Sequence, residues 1–363
     1  MIFCSKETSL QRLAAVRQHV PAGGALWIIH EPNVNYLSGY EGHEASLLVT
    51  EDNAYLITDF RYTEIAEKQA ASCQLLVIAR ERLPKFVARN VLEMGLTKLA
   101  FEQDALSYGD YRALAEDLAG KVELLPLSDA VEPLRMVKDE AEMTLLRHAC
   151  SCTDKVFDAI CGIIKPGMTE MEIANELYYQ IGKLGCDSSF DAIIASGPNG
   201  SLPHAVPQAD KVVKSGEMIT LDFGCAFRGY HADMTRTISV GQPSQQMKQI
   251  YDIVLESHLA GVAATRPHIT GKELDAVCRD IIVAAGYGDN FGHGTGHGIG
   301  LEIHEAPRVS LTGEIVLKPG HCITIEPGIY LPGIGGVRIE DSVLVTETGG
   351  ESLFTAPKEL IIL

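Results

Sequence analysis

At 363 residues, 46% apolar and 21% charged, the chain has an ordinary globular composition and the length for two domains. A net charge of −18 excludes a nucleic-acid partner, whose phosphates it would repel, and no apolar run is long enough to span a membrane. The stretch Met1 to Glu7 lacks the basic region and long apolar segment of a signal peptide, so a cytoplasmic protein is expected.

Residues 1–130 alternate short apolar runs with helical patterns. Strands are expected at Ala25–Ile29, Ala45–Thr50, Ala54–Thr58, Leu75–Ile78 and Lys98–Phe101, and helices at Thr63–Ala71 and Tyr108–Leu118. This predicts an α/β domain with no catalytic cluster of its own. Pro126 and Pro133 mark Leu125–Arg135 as a linker, and residues 131–363 form the second domain. Nine scattered cysteines without Cys-x-x-Cys spacing predict reduced, mostly buried thiols.

The second domain opens with helical spacing from Asp139 to Ile164, stopped by Pro166-Gly167. Thr169-Glu170-Met171-Glu172 is a capping box whose helix ends near Gly185. The segment from Ile164 to Ile173 then recurs, 101 positions on, from Thr265 to Leu274, with Gly286 matching Gly185. A second pair, Lys214 to Gly224 and Lys318 to Gly328, repeats at an offset of 104. Lysine, glycine, isoleucine, threonine, an aliphatic residue, an acid and a glycine align in order. Two units of one design predict an α+β domain with pseudo-two-fold symmetry and its site where the halves meet. The order expected is helix, helix, strands, then helix and strands again.

Between the halves' matching strands lies Gly292 to Glu305, with three histidines and five glycines in fourteen residues. Such glycine density means close backbone approach, and a strand edge lining a polar cavity is expected. The repeat places Asp222 and Glu326 in equivalent positions. Each has an acidic companion beyond a turn, Asp233 in His231-Ala232-Asp233-Met234-Thr235-Arg236 and Glu340 in Arg338-Ile339-Glu340-Asp341. Four strand-borne carboxylates around one cavity repel one another unless cations neutralise them. With the His297 imidazole they form a hard, oxygen-rich donor set. It suits two divalent ions, Mn²⁺ first, with Co²⁺ or Zn²⁺ possible, and two such ions can share a nucleophilic hydroxide.

These motifs, in this order, resemble the proline-specific metallopeptidases of the pita-bread fold, prolidase (Xaa-Pro dipeptidase) and aminopeptidase P. Leu56 to Tyr62 also resembles that family's N-terminal domain. The resemblance implies that Asp222, Asp233, His297, Glu326 and Glu340 hold the metals, and that Glu326 carries a proton to the leaving proline nitrogen. It implies that His204 binds substrate, and that His293 and His304 polarise the scissile carbonyl. Thr235 and Arg338 would orient Asp233 and Glu340. Arg308 resembles the arginine with which prolidases grip a substrate carboxylate, which favours a dipeptidase acting on short proline-containing peptides. The alternative is an aminopeptidase P on longer peptides. More remote are a creatinase-like hydrolase and a non-catalytic binding module on the same fold, since both lose ligands that this chain keeps. The family usually forms homodimers.

Overall fold

The computed structural model describes residues 4–363. Met1, Ile2 and Phe3, the start of the stretch read for a signal peptide, lie outside the described residues. No helix among the described residues is long and apolar enough to cross a membrane. The chain divides into two compact units, one ending at Arg135 and one running from Met136 to Leu363.

The first unit contains α1 (Lys6–Val16), β1 (Gly24–Ile28), α2 (Glu31–Ser38), β2 (Ser46–Thr50), β3 (Ala54–Asp59) and α3 (Thr63–Gln69). It continues with β4 (Gln74–Ile78), α4 (Leu83–Glu93), β5 (Lys98–Glu102), α5 (Tyr108–Leu118), β6 (Glu123–Leu127) and α6 (Glu132–Arg135). One sheet runs in the order β4-β3-β2-β1-β5-β6, antiparallel at β2 and parallel elsewhere. Trp27, Phe101, Phe86, Val87, Leu114 and Leu118 pack in its core. The expected linker Leu125–Arg135 is instead partly structured, contributing the end of β6 and all of α6. Pro126 fits there because β6 is an edge strand, where a missing N–H can face outward.

The second unit begins with α7 (Glu140–Cys161), α8 (Glu170–Lys183), β7 (Asp187–Ser188), β8 (Ile193–Ser196), β9 (Glu217–Phe223), β10 (Cys225–Phe227), β11 (Tyr230–His231) and β12 (Met234–Val240). Its second half holds α9 (Gln245–Ala264), α10 (Gly271–Ala284), β13 (Gly296–Gly298), β14 (Glu305–Val309) and β15 (Cys322–Ile325). The unit closes with β16 (Gly328–Leu331), β17 (Gly335–Arg338), β18 (Asp341–Val345) and β19 (Gly350–Ser352). Thr169 and Thr270 each close a capping box, and so does Asp139 at the start of α7. Gly185 and Gly286, just past α8 and α10, have φ of +70° and +86°, the left-handed region open to glycine.

The order helix, helix, strands therefore occurs twice. The sequence reading missed α9, which buries Met247, Ile250, Tyr251 and Val254 at helical spacing. Sheets β12-β9-β8 and β14-β13-β15-β18-β19 form the two halves. β13 lies between β14 and β15, so the Gly/His stretch is not the strand edge expected of it. A Cβ at Gly296 would collide with the Thr324 carbonyl, and one at Gly298 with the Ala306 carbonyl. Seven of the nine cysteines are buried.

Candidate active site

The paired sheets carry the acids to one place. Asp222 lies on β9, opposite Thr235 on β12. Asp233 and Glu340 stand one residue before β12 and β18, and Glu326 one residue after β15. Only Asp222 is within a strand, so the expected four strand-borne carboxylates are one strand residue and three at strand ends. Strand ends leave these side chains free to converge while the adjoining ladder fixes their backbone.

Ligand atoms of Asp233, His297 and Glu340 all lie within 4.8 Å of one another. His297 Nε2 is 3.6 Å from Asp233 Oδ2 and 3.4 Å from Glu326 Oε1. Its Nδ1–H donates to the Gly298 carbonyl at 3.0 Å, which leaves the Nε2 lone pair facing the acids. Asp222 lies outside that tight trio: Arg338 Nη2 donates to its Oδ2 at 2.5 Å. Asp222 Oδ1 and Glu340 Oε1 are buried without a hydrogen-bond partner. Thr235 Oγ1 donates to Glu340 Oε2 at 2.6 Å and accepts from Arg338 Nε at 3.0 Å. Thr235 thus touches Glu340 rather than Asp233, and Arg338 touches Asp222 rather than Glu340.

Burial, and then the neighbouring carboxylates, push Asp233 and Glu340 well above the usual carboxylate range. Burial raises Glu326 to about 8 against the pull of Arg338. Burial lowers His297 to about 4, keeping it neutral and able to ligate. Acids so placed cannot all ionise without added positive charge. The two orphaned carboxylate oxygens and the neutral imidazole make a donor set that fits divalent cations.

All five lie on a cavity of about 870 Å³, together with His204, His293, His304, Arg308 and Arg338. His204, His304 and Arg308 are exposed on it, and the Arg308 guanidinium has no hydrogen-bond or ion-pair partner among the described residues. The His304 ring stands 4.3 Å from that of His297, edge-on. His293 is tethered at both nitrogens, Nδ1 to the Gly294 carbonyl at 2.8 Å and Nε2 to Tyr330 Oη at 2.9 Å.

Sequence reasoning missed three supporting residues. Tyr330 Oη also accepts from Arg338 Nη1 at 2.7 Å; since arginine only donates, the phenol proton is left for His293. Asp275 Oδ1 accepts from the Thr295 backbone and hydroxyl, and Arg279 reaches the Phe291 and His293 carbonyls, pinning the Gly/His stretch to α10. Their i,i+4 acid–arginine spacing was the available signal.

Residues 144–347 match Metallopeptidase family M24, and residues 12–137 match the Creatinase/Prolidase N-terminal domain. A solved structure of "Xaa-Pro dipeptidase from Bacillus anthracis" superposes with a TM-score of 0.93 at 44% identity, covering 98% of this chain and 100% of that one. The X-Pro aminopeptidase from Thermotoga maritima gives 0.89 at 34% identity, covering 96% and 99%. The Xaa-Pro dipeptidase of Pyrococcus horikoshii is 39% identical over 93% of this chain and 94% of its own. With the pseudo-two-fold pita-bread fold and a clustered set of metal-type donors, the chain belongs to metallopeptidase family M24.

Proposed function

We propose that this peptidase hydrolyses the Xaa-Pro bond of short peptides and is an Xaa-Pro dipeptidase. The observation that carries this reading is the unpaired Arg308 guanidinium in the same cavity as Asp222, Glu326 and the tight trio Asp233, His297 and Glu340. A dipeptide ends at its proline, so its carboxylate must be gripped inside the site, and arginine does this bidentately. Proline's imide nitrogen carries no N–H and its ring keeps the chain out of extended clefts, so a dedicated cavity is needed.

Asp222, Asp233, His297, Glu326 and Glu340 would hold two divalent ions, Mn²⁺ first, with Co²⁺ or Zn²⁺ as alternatives. Bound there, the ions supply Lewis acidity and a water acidic enough to attack at neutral pH. Glu326 holds a proton at Oε2, the oxygen away from Thr324 and His297, and delivers it to the leaving proline nitrogen. His204 and His304, with open ring nitrogens, meet the substrate. His293, whose two ring nitrogens are taken by the Gly294 carbonyl and Tyr330 Oη, has no N–H left to polarise the scissile carbonyl and shapes the cavity wall instead. Thr235 and Arg338 keep Glu340 and Asp222 in register. In this division the first unit, ending at Arg135, serves as the N-terminal domain and the second, from Met136, as the catalytic one. We place the protein in the cytoplasm, as a homodimer.

The aminopeptidase reading retains support because the T. maritima aminopeptidase superposes over nearly the whole chain. Hydrolysis of Ala-Pro and Ala-Pro-Ala, with Mn²⁺ and with a chelator, separates the two. The expected result is metal-dependent cleavage of Ala-Pro alone. Preferred cleavage of Ala-Pro-Ala makes it an aminopeptidase, and no metal-dependent cleavage of either removes the Xaa-Pro reading.

A further inference from the structure

The internal repeat extends beyond the metal-type donors to the residues that meet the substrate. Pro203-His204 and Pro307-Arg308 are matched at an offset of 104, the same as Asp222 and Glu326. In each half the chain that follows returns to the start of that half's second helix, α8 or α10, through matched backbone bonds. The N–H groups of Glu170 and Gly271 donate to the Lys211 and Ile315 carbonyls, and those of Gly167 and His268 to the Val213 and Leu317 carbonyls.

The halves differ at the first helical residue, Glu170 in α8 and Gly271 in α10, which the repeat matches. In the second half the strand packs directly on the helix, since a Cβ at Gly271 would collide with the Arg308 carbonyl. In the first half a side chain spans the gap. Glu170 is fully buried. Its Oε1 accepts from the Ser196 N–H at 2.7 Å, the Ser196 hydroxyl at 2.9 Å and Asn199 Nδ2 at 3.2 Å. Its Oε2 accepts from Asn199 Nδ2 at 3.1 Å and the Gln208 N–H at 3.2 Å. Ser196 and Gln208 bracket residues 197–207, so one carboxylate ties both ends of the segment that carries His204. Midway, the Pro203 carbonyl accepts from Arg338 Nη1 at 3.3 Å. His204 is exposed on the cavity and takes its place from this backbone. Glu170 does not line the cavity, so it can reach the substrate only through that segment.

We propose that Glu170 is the positioning residue for His204, doing with a buried carboxylate what direct packing on Gly271 does for Arg308. This rests on the reading of His204 as a substrate contact. Every contact has the carboxylate as acceptor, so Glu170→Gln keeps the shape but sets an amide NH₂ against a donor.

A double-mutant cycle tests this on whichever of Ala-Pro and Ala-Pro-Ala is the better substrate, with Mn²⁺. Glu170→Gln should lower kcat/KM about tenfold in the unaltered background. It should lower it no more than about twofold when His204 is already alanine, because residues acting through one contact are not additive. A merely structural glutamate would lower both backgrounds equally. Hydrogen exchange of the metal-free protein reads the clamp without substrate. In Glu170→Gln the Ser196 and Gln208 amides should exchange at least about tenfold faster, with β9 amides unchanged. Asn199→Ala removes the donor shared by both carboxylate oxygens and should give the same pattern at about threefold, so a Glu170 variant that fails to fold leaves the test decisive. Equal losses in both His204 backgrounds, or unchanged exchange at both ends of the segment, overturns the proposal. If the unaltered protein cleaves neither peptide, the Xaa-Pro reading falls by itself, and exchange still decides whether Glu170 holds the segment.

Discussion

The two halves of the catalytic unit exchange arginines. Arg236, on β12 in the first half, donates to Asp341 of the second half at 2.8 Å and to the Glu340 carbonyl at 2.5 Å. Arg338, on β17 in the second half, donates back to Asp222 of the first at 2.5 Å. The contacts are reciprocal, but their surroundings are not. Arg236 is 1% exposed and also holds the Ala356 and Pro357 carbonyls, away from the cavity. Burial pushes Asp341 up, yet Arg236, His258 and Lys358 hold it below the usual carboxylate range. Arg338 lines the cavity and touches Tyr330 and Thr235. One arginine ties the frame together; the other sets the conformation of a metal-type donor.

If both halves carry the chemistry, neither matched acid is dispensable. Asp222→Ala and Glu326→Ala, matched positions of the two halves, should each lower kcat/KM by about a thousandfold or more, since each removes several kcal/mol of transition-state stabilisation. Steady-state hydrolysis of Ala-Pro measures both, and a mild loss at either position makes the halves unequal. Next in size is Arg236→Met. It leaves a buried carboxylate short of its main partner and should destabilise the protein by about 3–5 kcal/mol, read from urea denaturation. That loss should be the same with and without Mn²⁺. Arg338→Met sharpens the contrast. It should lower activity or metal affinity by about 10–100-fold, with a stability loss that added Mn²⁺ recovers by neutralising Asp222. If Mn²⁺ rescues both variants alike, the two arginines do the same work.

The equivalence of Asp222 and Glu326 was legible because a repeat with fixed offsets constrains position far more than composition does, whereas His297 stood out only through the glycine-spaced histidines around it. Asp222 and Glu326 sit at the same place in two copies of one motif, and the structure puts both on one cavity. What the sequence left hidden depends on how strands are stacked. Tyr330 has no motif around it, and its bond to His293 spans 37 residues of sequence. Arg236 lay within a motif already singled out, but nothing in a linear sequence shows that its side chain points away from the cavity. The edge strand β6 was concealed by Pro126, whose tolerance depends on having a neighbour on one side only.

The repeat also carries one position where the halves differ in charge, and it supplies the smallest effect. Glu217 and His321 are matched, 104 residues apart. Each accepts a bond from the backbone N–H of its half's lysine, Lys214 at 3.0 Å and Lys318 at 3.4 Å. Glu217 also pairs with Lys211 at 2.8 Å, so its charge is matched. His321 is 2% exposed, and burial, then Lys138 and Lys318, lower it to about 4. A histidine depressed in the folded state is neutral in both states above its unfolded value of about 6.5. Below that pH the unfolded chain takes up the proton first, so stability falls between about pH 6.5 and 4 and the loss levels off below. At pH 5.5 this one group should cost about 1 kcal/mol relative to pH 7.5. His321→Gln removes the titration, and its urea midpoint should fall less than that of the unaltered protein between pH 7.5 and 5.5. Equal falls would mean that His321 takes up its proton in the folded state as readily as in the unfolded one, and that its burial in the second half carries no acid sensitivity of its own.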